Sequence, residues 1–352
     1  MNVILKKKSQ IANVSQSHWR WGRAIRAAVS IFIPFIYGLL SNDIMTGMWI
    51  GMGCLMMITG ETTGTYRYVC SRMVLSAIIG SLGYLVGYLN ELSWSLVILS
   101  MMFFGAASQF LSRINHTLSI GMLQFLLLAS IALGVPSIEN FWKPSILYLV
   151  GTLLYIIILS LEFLIRNIIS SPEDKKDETP PPSVNKEPPQ AKESKYISAC
   201  TLALCLGVAY SMHLIDNNPH WFWIPLTVGL VIKPDLGPMQ ARAPQRIIGT
   251  FFGVIIGAIV LILIPKNIYF VTVMSIFSFV LPWAMSRSYV LQAVFLTPLI
   301  LLLINIIQPG SNDINYAVQR LIDTIIGGGI VMVGYYISCF FRCIGSRFKL
   351  FN

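Results

Sequence analysis

Charge is what this sequence has least of. Only 11% of its 352 residues are Asp, Glu, Lys or Arg, against roughly 25% in soluble domains, which leaves too few ionic groups to cover a compact surface in water. Fifty-five per cent are apolar and the mean hydropathy is +0.70, so lipid is the solvent the chain suits. Cysteine is sparse too. Cys54, Cys70, Cys200, Cys205, Cys339 and Cys343 lie in or beside apolar runs with no CxxC spacing, which suggests neither a disulfide framework nor a zinc site. They read as small buried fillers, with Cys339 and Cys343 also open to acylation beside the basic tail. The basic start lacks a short apolar region followed by a small-residue cleavage site, so no cleaved signal is expected. No nucleophile, base and orienting acid recur at useful spacing, so neither enzyme activity nor a cofactor or resident metal is expected. The basic residues form no aromatic-interleaved patch, which argues against nucleic acid.

Long apolar runs are what the sequence has instead. A membrane-spanning helix needs about 20 mostly apolar residues, because it must satisfy its own backbone hydrogen bonds in hydrocarbon. Twelve such runs are found, roughly at 24–41, 44–60, 73–90, 92–112, 114–135, 144–165, 196–215, 218–233, 247–265, 267–285, 288–308 and 315–341. Counting basic residues by alternate loops places all but Lys143, Lys266 and Arg320 of the 25 Lys and Arg on one side. Cytoplasmic loops carry that excess, so both termini and the central linker of a multi-pass membrane protein are expected in the cytoplasm. The linker stands out by composition: residues 170–195 hold 11 of the 40 charges and 6 of the 18 prolines, too little to bury, and read as a disordered tether. The expected organisation is a basic amino-terminal segment (1–23), a membrane unit (24–168), the linker (169–195), a second membrane unit (196–341) and a basic tail (342–352).

Shifting the sequence by 174 residues lays Trp49 on Trp223, Arg72 on Arg246, Gly83 on Gly257, and the Ser112–Arg113 pair on Ser286–Arg287, without a gap. Rare residues at one offset suggest an internal repeat. Six spans per copy is an even number, so the copies enter the membrane in the same sense. The fold class expected is therefore an all-α polytopic membrane protein of about twelve transmembrane helices, built as two parallel six-helix repeats.

In transporters built from repeats, short or Gly/Pro-interrupted spans at corresponding positions point to the binding site. The second span of each half qualifies: the first carries Gly47, Gly51, Gly53 and Gly60, the other Pro219, Pro225, Gly229 and Pro234. Trp49, Trp221 and Trp223 on these segments offer flat apolar surface to an aromatic ligand, or belong to the interfacial belt. Arg72 and Arg246 are placed at the start of the third spans, where a guanidinium can clamp a carboxylate through two parallel hydrogen bonds or snorkel as an anchor. Arg113 and Arg287 read as topology markers. Arg320 and Asp323, three apart on the last span, form a candidate intramembrane ion pair, for proton coupling or for structure. Glu162 is placed to pair with Arg166 at i,i+4. His213, Asp216 and His220 cluster on an outer loop, but Pro219 breaks any common helix face. His220 is retained as a proton-sensing or substrate-facing group; His18 and His116 are isolated.

The stretch from His220 to Val260, HWFWIPLTVGLVIKPDLGPMQARAPQRIIGTFFGVIIGAIV, resembles the fusaric acid resistance family of bacterial exporters, also called the aromatic acid exporter family, through Trp223, Pro234, Gly237, Arg246, Gly249, Thr250 and Gly253. The segment QRLIDTIIGGGIV carries the resemblance on through Arg320, Asp323, Thr324 and Gly327. The first half keeps Trp49, Arg72 and Gly83, but has Ser76 where Thr250 stands and no counterpart of Arg320 or Asp323. The resemblance implies efflux of small organic, often aromatic, acids across the inner membrane, frequently with a periplasmic adaptor. On that basis Arg72, Arg246, Trp49, Trp223 and Thr250 are the expected substrate contacts, and Arg320, Asp323 and His220 the expected proton-coupling or ion-pair groups. An anion channel of the related malate type and a non-transporting membrane assembly protein are the alternatives, and self-association is open.

Overall fold

The computed structural model describes residues 20–62, 64–88, 93–111, 115–135, 140–169, 192–215, 220–232, 239–265, 267–305 and 313–349. Twelve α-helices make up the fold among the described residues. The first six are α1 (Trp21–Leu40), α2 (Ile44–Gly60), α3 (Tyr66–Tyr88), α4 (Trp94–Leu111), α5 (His116–Gly134) and α6 (Lys143–Ile169). The others are α7 (Lys192–Ser211), α8 (Trp223–Val231), α9 (Met239–Leu263), α10 (Ile268–Arg287), α11 (Tyr289–Asn305) and α12 (Asp313–Lys349). Nine are long and apolar enough to cross a membrane, while α2, α8 and α11 are shorter apolar helices. The chain is a polytopic helical membrane protein. Large side chains such as Phe103 on α4, Leu153 and Ile157 on α6 and Phe252 on α9 face outward, where lipid contacts them.

Two boundaries differ from expectation for one reason. The third spans were placed at 73 and 247, where the apolar runs begin, yet α3 starts at Tyr66 and α9 at Met239. Arginines are good helix formers, and a basic first turn or two continues a helix without interrupting it. Arg72 and Arg246 therefore lie six and seven residues inside their helices and do not open them. The eighth span is helical only over Trp223–Val231, all nine residues being buried, with Pro225 in its first turn where no hydrogen bond is lost. Its last carbonyls, which have no partner within the helix, find side-chain donors: Tyr289 donates to the Leu230 carbonyl at 3.0 Å and Gln109 to that of Ile232 at 3.4 Å, as a buried helix terminus requires. The start of α2 is capped by Asp43, whose carboxyl accepts from the Thr46 amide at 3.1 Å and hydroxyl at 2.6 Å. Residues 170–191 of the expected linker and the loops holding Arg113, Asp216, Pro219, Pro234 and Gly237 lie outside the described residues, whereas residues 192–195, expected in the linker, already form the first turn of α7.

The helix pairings recur six helices on. Helix α1 packs on α2 and α6, α2 on α6, α3 on α5 and α6, and α4 on α5; α7 packs on α8 and α12, α8 on α12, α9 on α11 and α12, and α10 on α11. Between the halves, α4 packs on α7 and α10 on α1. Glycines set the closest approaches, as small residues do where helices associate without a hydrophobic drive. Gly249 and Gly253 on α9 lie against Ala293, Val290 and Thr297 of α11, and Gly83 and Gly87 on α3 against Phe125 and Ala129 of α5. At Gly53 a Cβ would run into the Tyr148 carbonyl, and at Gly151 into that of Ile50. Gly53→Val is expected to destabilise by about 1–3 kcal/mol through overpacking, read as a lowered melting temperature in detergent. Gly329→Ala, where a Cβ meets nothing within 4 Å, is expected to leave it level or slightly raised.

Candidate functional site

Half-way through the second set of helices, charge is buried without full compensation. Arg246 on α9 and Arg320 on α12 are each 1% exposed, Asp323 is likewise 1% exposed, and Thr227, Thr250 and Thr324 are wholly buried. Arg246 and Arg320 each lie seven residues from the start of their helices, and α9 packs on α12, which brings the two charges within electrostatic reach of each other. Arg320 is held from one side by Trp223: its Cζ sits 4.0 Å from the indole centroid and its Nη1 donates to the Trp223 carbonyl at 3.4 Å. The charges of Arg246 and Asp323 both act on Arg320, and Arg246 pairs with the Tyr289 hydroxyl. Above Trp223 lies Tyr316, 6.2 Å between centroids, and His220 meets the Tyr316 ring edge-on at 4.8 Å.

Several donors in this cluster have no protein acceptor: Arg246 Nε and Nη2, Arg320 Nη2, Trp223 Nε1, the Tyr316 hydroxyl, and the hydroxyls of Thr227, Thr250 and Thr297. Leaving one buried donor unsatisfied costs roughly 1–3 kcal/mol, more for a charged one. Two guanidinium groups against one carboxylate also leave an excess positive charge in a low-dielectric interior. Such an arrangement is complementary to an anion with several acceptor oxygens, and the Trp223 and Tyr316 rings supply flat apolar walls.

Five of the eight residues singled out in the sequence, Trp223, Arg246, Thr250, Arg320 and Asp323, come together here, and His220 stands at the cluster's edge through Tyr316. The other two are elsewhere. Trp49 packs edge-on against Tyr84, centroids 5.2 Å apart, and Tyr84 against Tyr148 at 5.8 Å, which makes it an aromatic core residue of the first half. Arg72 lies over its own helix neighbour Tyr68, accepting no burial comparable to Arg246 and donating to the Tyr68 hydroxyl at 3.0 Å. The reason is in the partners: where the second half has Tyr316, Arg320 and Asp323, the same offset gives Trp142, Ile146 and Leu149 in the first. Thr227, Thr297, Tyr316 and Tyr289 were not singled out. Thr227 and Tyr316 each stand four residues, one helical turn, from Trp223 and Arg320, a spacing that marks a shared face.

The first half has a polar cluster of its own, at the end where α2 finishes. Arg26, 5% exposed, donates to Glu61 at 2.6 Å, to the Tyr155 hydroxyl at 3.2 Å and to Glu162. Tyr155 donates in turn to Glu61. Arg23 lies 3.6 Å from Glu61, and Arg166 pairs with Glu162 at 2.7 Å. The Glu162–Arg166 pair was legible as an i,i+4 spacing, whereas its tie to Arg26, 136 residues away in sequence, was not. Each carboxylate has its cations, so this cluster ties α1, α2 and α6 together, with Arg23 Nε left 3.6 Å from Glu61 and without a hydrogen bond of its own. At the opposite end, His213 packs against Trp94 and Trp221, with centroids 4.5 and 4.9 Å apart, whereas the ring of His220 packs on Tyr316.

A cavity of about 190 Å³ lies between the halves, walled by α2 and α5 on one side and α8 and α11 on the other. None of the eight expected site residues lines it. Leu226 and Leu230 of α8 face it, while Trp223 and Thr227, on the same helix, belong to the arginine cluster.

Fold and cluster together define the class: a polytopic helical membrane protein whose second set of helices buries an excess of guanidinium donors. Residues 202–334, running from within α7 into α12 and enclosing that cluster, match the family model described as fusaric acid resistance protein-like. Among curated proteins, the chain is 32% identical over 143 residues to the inner membrane protein YccS of Escherichia coli (strain K12), covering 40% of this chain and 19% of YccS. It is 31% identical over 133 residues to the uncharacterized protein slr1298 of Synechocystis sp., 37% and 18% of the two chains. It is 28% identical over 144 residues to the uncharacterized membrane protein YvaC of Bacillus subtilis (strain 168), 41% and 23%. The chain thus spans less than a quarter of the length of each of these relatives. No solved structure matches it.

Proposed function

We propose that the protein exports small organic acids, aromatic ones in particular, across the inner membrane, with both termini and the linker in the cytoplasm. The twelve helices act as two parallel repeats, a reading supported by the helix pairings that recur six helices on. The observation that carries the reading is the buried set of donors without protein acceptors on Arg246, Arg320, Trp223 and Tyr316. A carboxylate placed between the two guanidinium groups accepts paired hydrogen bonds from them. Its ring lies against Trp223 and Tyr316, and the threonine hydroxyls serve a second acceptor.

Asp323 is the group that makes the site switchable. With the substrate absent, its carboxylate offsets one of the two guanidinium charges; a bound carboxylate competes for the same cations and favours the protonated form of Asp323. By linkage, loss of that proton restores the Asp323 carboxylate, which competes for the guanidinium groups and expels the anion, so anion release is coupled to deprotonation of Asp323, with Tyr316 and His220 on the proton's path to the outer side. The near-complete burial of Arg246 and Arg320 favours a carrier that occludes its cargo over a channel with a continuous polar path. Everted vesicles should accumulate radiolabelled carboxylates saturably and lose the gradient when an uncoupler is added. A current in planar bilayers that follows the anion gradient without saturation would replace this reading with that of a channel.

A further inference from the structure

We propose that the cavity between the halves is a second binding site, for an uncharged monocyclic aromatic molecule bearing one hydrogen-bonding group such as a carboxamide. It is distinct from the arginine cluster. The cavity has a structural cause: α5 packs on α8 across the interface, but the equivalent approach of α2 to α11 is not closed in the same way, and the space left opens beside Glu61. Its volume of about 190 Å³ decides the size of the occupant, since an engineered apolar cavity of about 150 Å³ takes up benzene. One ring with one small substituent fits.

The walls decide the charge. They are chiefly Met, Leu and Ile side chains, with Gln124 from α5 and Gln292 from α11 supplying carboxamides beside the hydroxyls of Thr59, Thr62 and Ser119. Gln124 donates one amide hydrogen to the Met56 carbonyl at 3.2 Å and accepts from Tyr148 at 3.3 Å, which leaves a second hydrogen and a second lone pair for a ligand. Among the described residues, Glu61 is the one ionisable group on the wall. Its carboxylate is taken up by Arg26, Tyr155 and Arg23, so it neither attracts a cation strongly nor leaves an arginine free for an anion. An organic anion entering this space would lose its hydration without gaining a cation. A neutral amide would bury its ring and pair with a carboxamide.

The test uses benzamide and benzoate, which share shape and differ in charge, titrated into the purified full-length protein in detergent. Benzamide should bind saturably, and Leu296→Trp and Ile300→Phe, which fill the cavity from α11, should each weaken it at least tenfold while melting near the wild-type temperature. Arg246→Met should leave benzamide affinity within twofold. Absence of benzamide binding, persistence in both cavity-filling variants, or loss in Arg246→Met would overturn the proposal. Benzoate binding reports separately on the arginine cluster, so failure of one site is distinguishable from failure of the other.

Discussion

Arg246→Met is expected to reduce carboxylate transport by about 100-fold or more while leaving the melting temperature unchanged or higher. The two effects share one cause. Truncating one member of a buried charged contact to a ligand costs roughly 2–5 kcal/mol, and the upper part of that range exceeds 100-fold. In the unliganded protein, however, Arg246 is the second buried positive charge against one carboxylate, with Nε and Nη2 lacking protein acceptors, and Arg320 still offsets Asp323 once it is gone, so its removal leaves no uncompensated buried charge behind. A purely structural arginine predicts the reverse pattern, with stability lost and any transport defect following from it. Arg246→Lys separates geometry from charge: an ammonium keeps the charge but not the planar fork, so transport should remain at least tenfold down. Initial rates in everted vesicles, normalised to protein in the membrane, and thermal unfolding of the purified variants give both readings.

The largest expected stability effect lies in the other half. Arg26→Met should destabilise the protein by about 3 kcal/mol, the lower part of the range for breaking a buried ion pair. Arg26 holds two carboxylates at once, Glu61 and Glu162, which are only 11% and 22% exposed. Its removal leaves them facing each other with the partial support of Arg23 and Arg166, which is why the loss falls at the low end. Adding Glu162→Gln to Arg26→Met should restore part of it, because one of the two uncompensated charges is then gone. A double-mutant cycle on denaturant midpoints should return a coupling of at least 1 kcal/mol between positions 26 and 162; a coupling near zero would show that the two residues stabilise the bundle independently.

Much of the helix inventory was legible in the sequence because a spanning helix must be long and apolar, and α1, α2, α5 and α10 stand within a few residues of the expected runs. What hydropathy misread were the starts of α3 and α9: Arg67 and Arg242 continue the helix beyond the oily stretch, and a hydropathy window stops where charge begins. In the candidate site, Trp223, Arg246, Thr250, Arg320 and Asp323 were legible because arginine, tryptophan and aspartate are rare in such segments. Equivalence at the 174-residue offset, by contrast, overextended the site to Trp49 and Arg72. A shared offset carries over the residue but not its neighbours, and with Ile146 and Leu149 at the positions that correspond to Arg320 and Asp323, the first half offers Arg72 no carboxylate like Asp323. Thr227 and Thr297 were silent because threonine is unremarkable in a spanning helix until its partners are known. Arg26, Glu61 and Tyr155 were silent for a different reason: each is ordinary alone, and only the packing of α1 on α2 and α6 brings them into one cluster.

The most direct measurement is equilibrium binding of a panel of radiolabelled aromatic and aliphatic carboxylates to the purified protein, compared between wild type, Arg246→Met and Arg320→Met. The account predicts at least one acid that binds saturably, competes with its relatives and is lost in both variants while they remain folded. Binding that survives both substitutions, or a panel of which no member binds the wild-type protein, would contradict it.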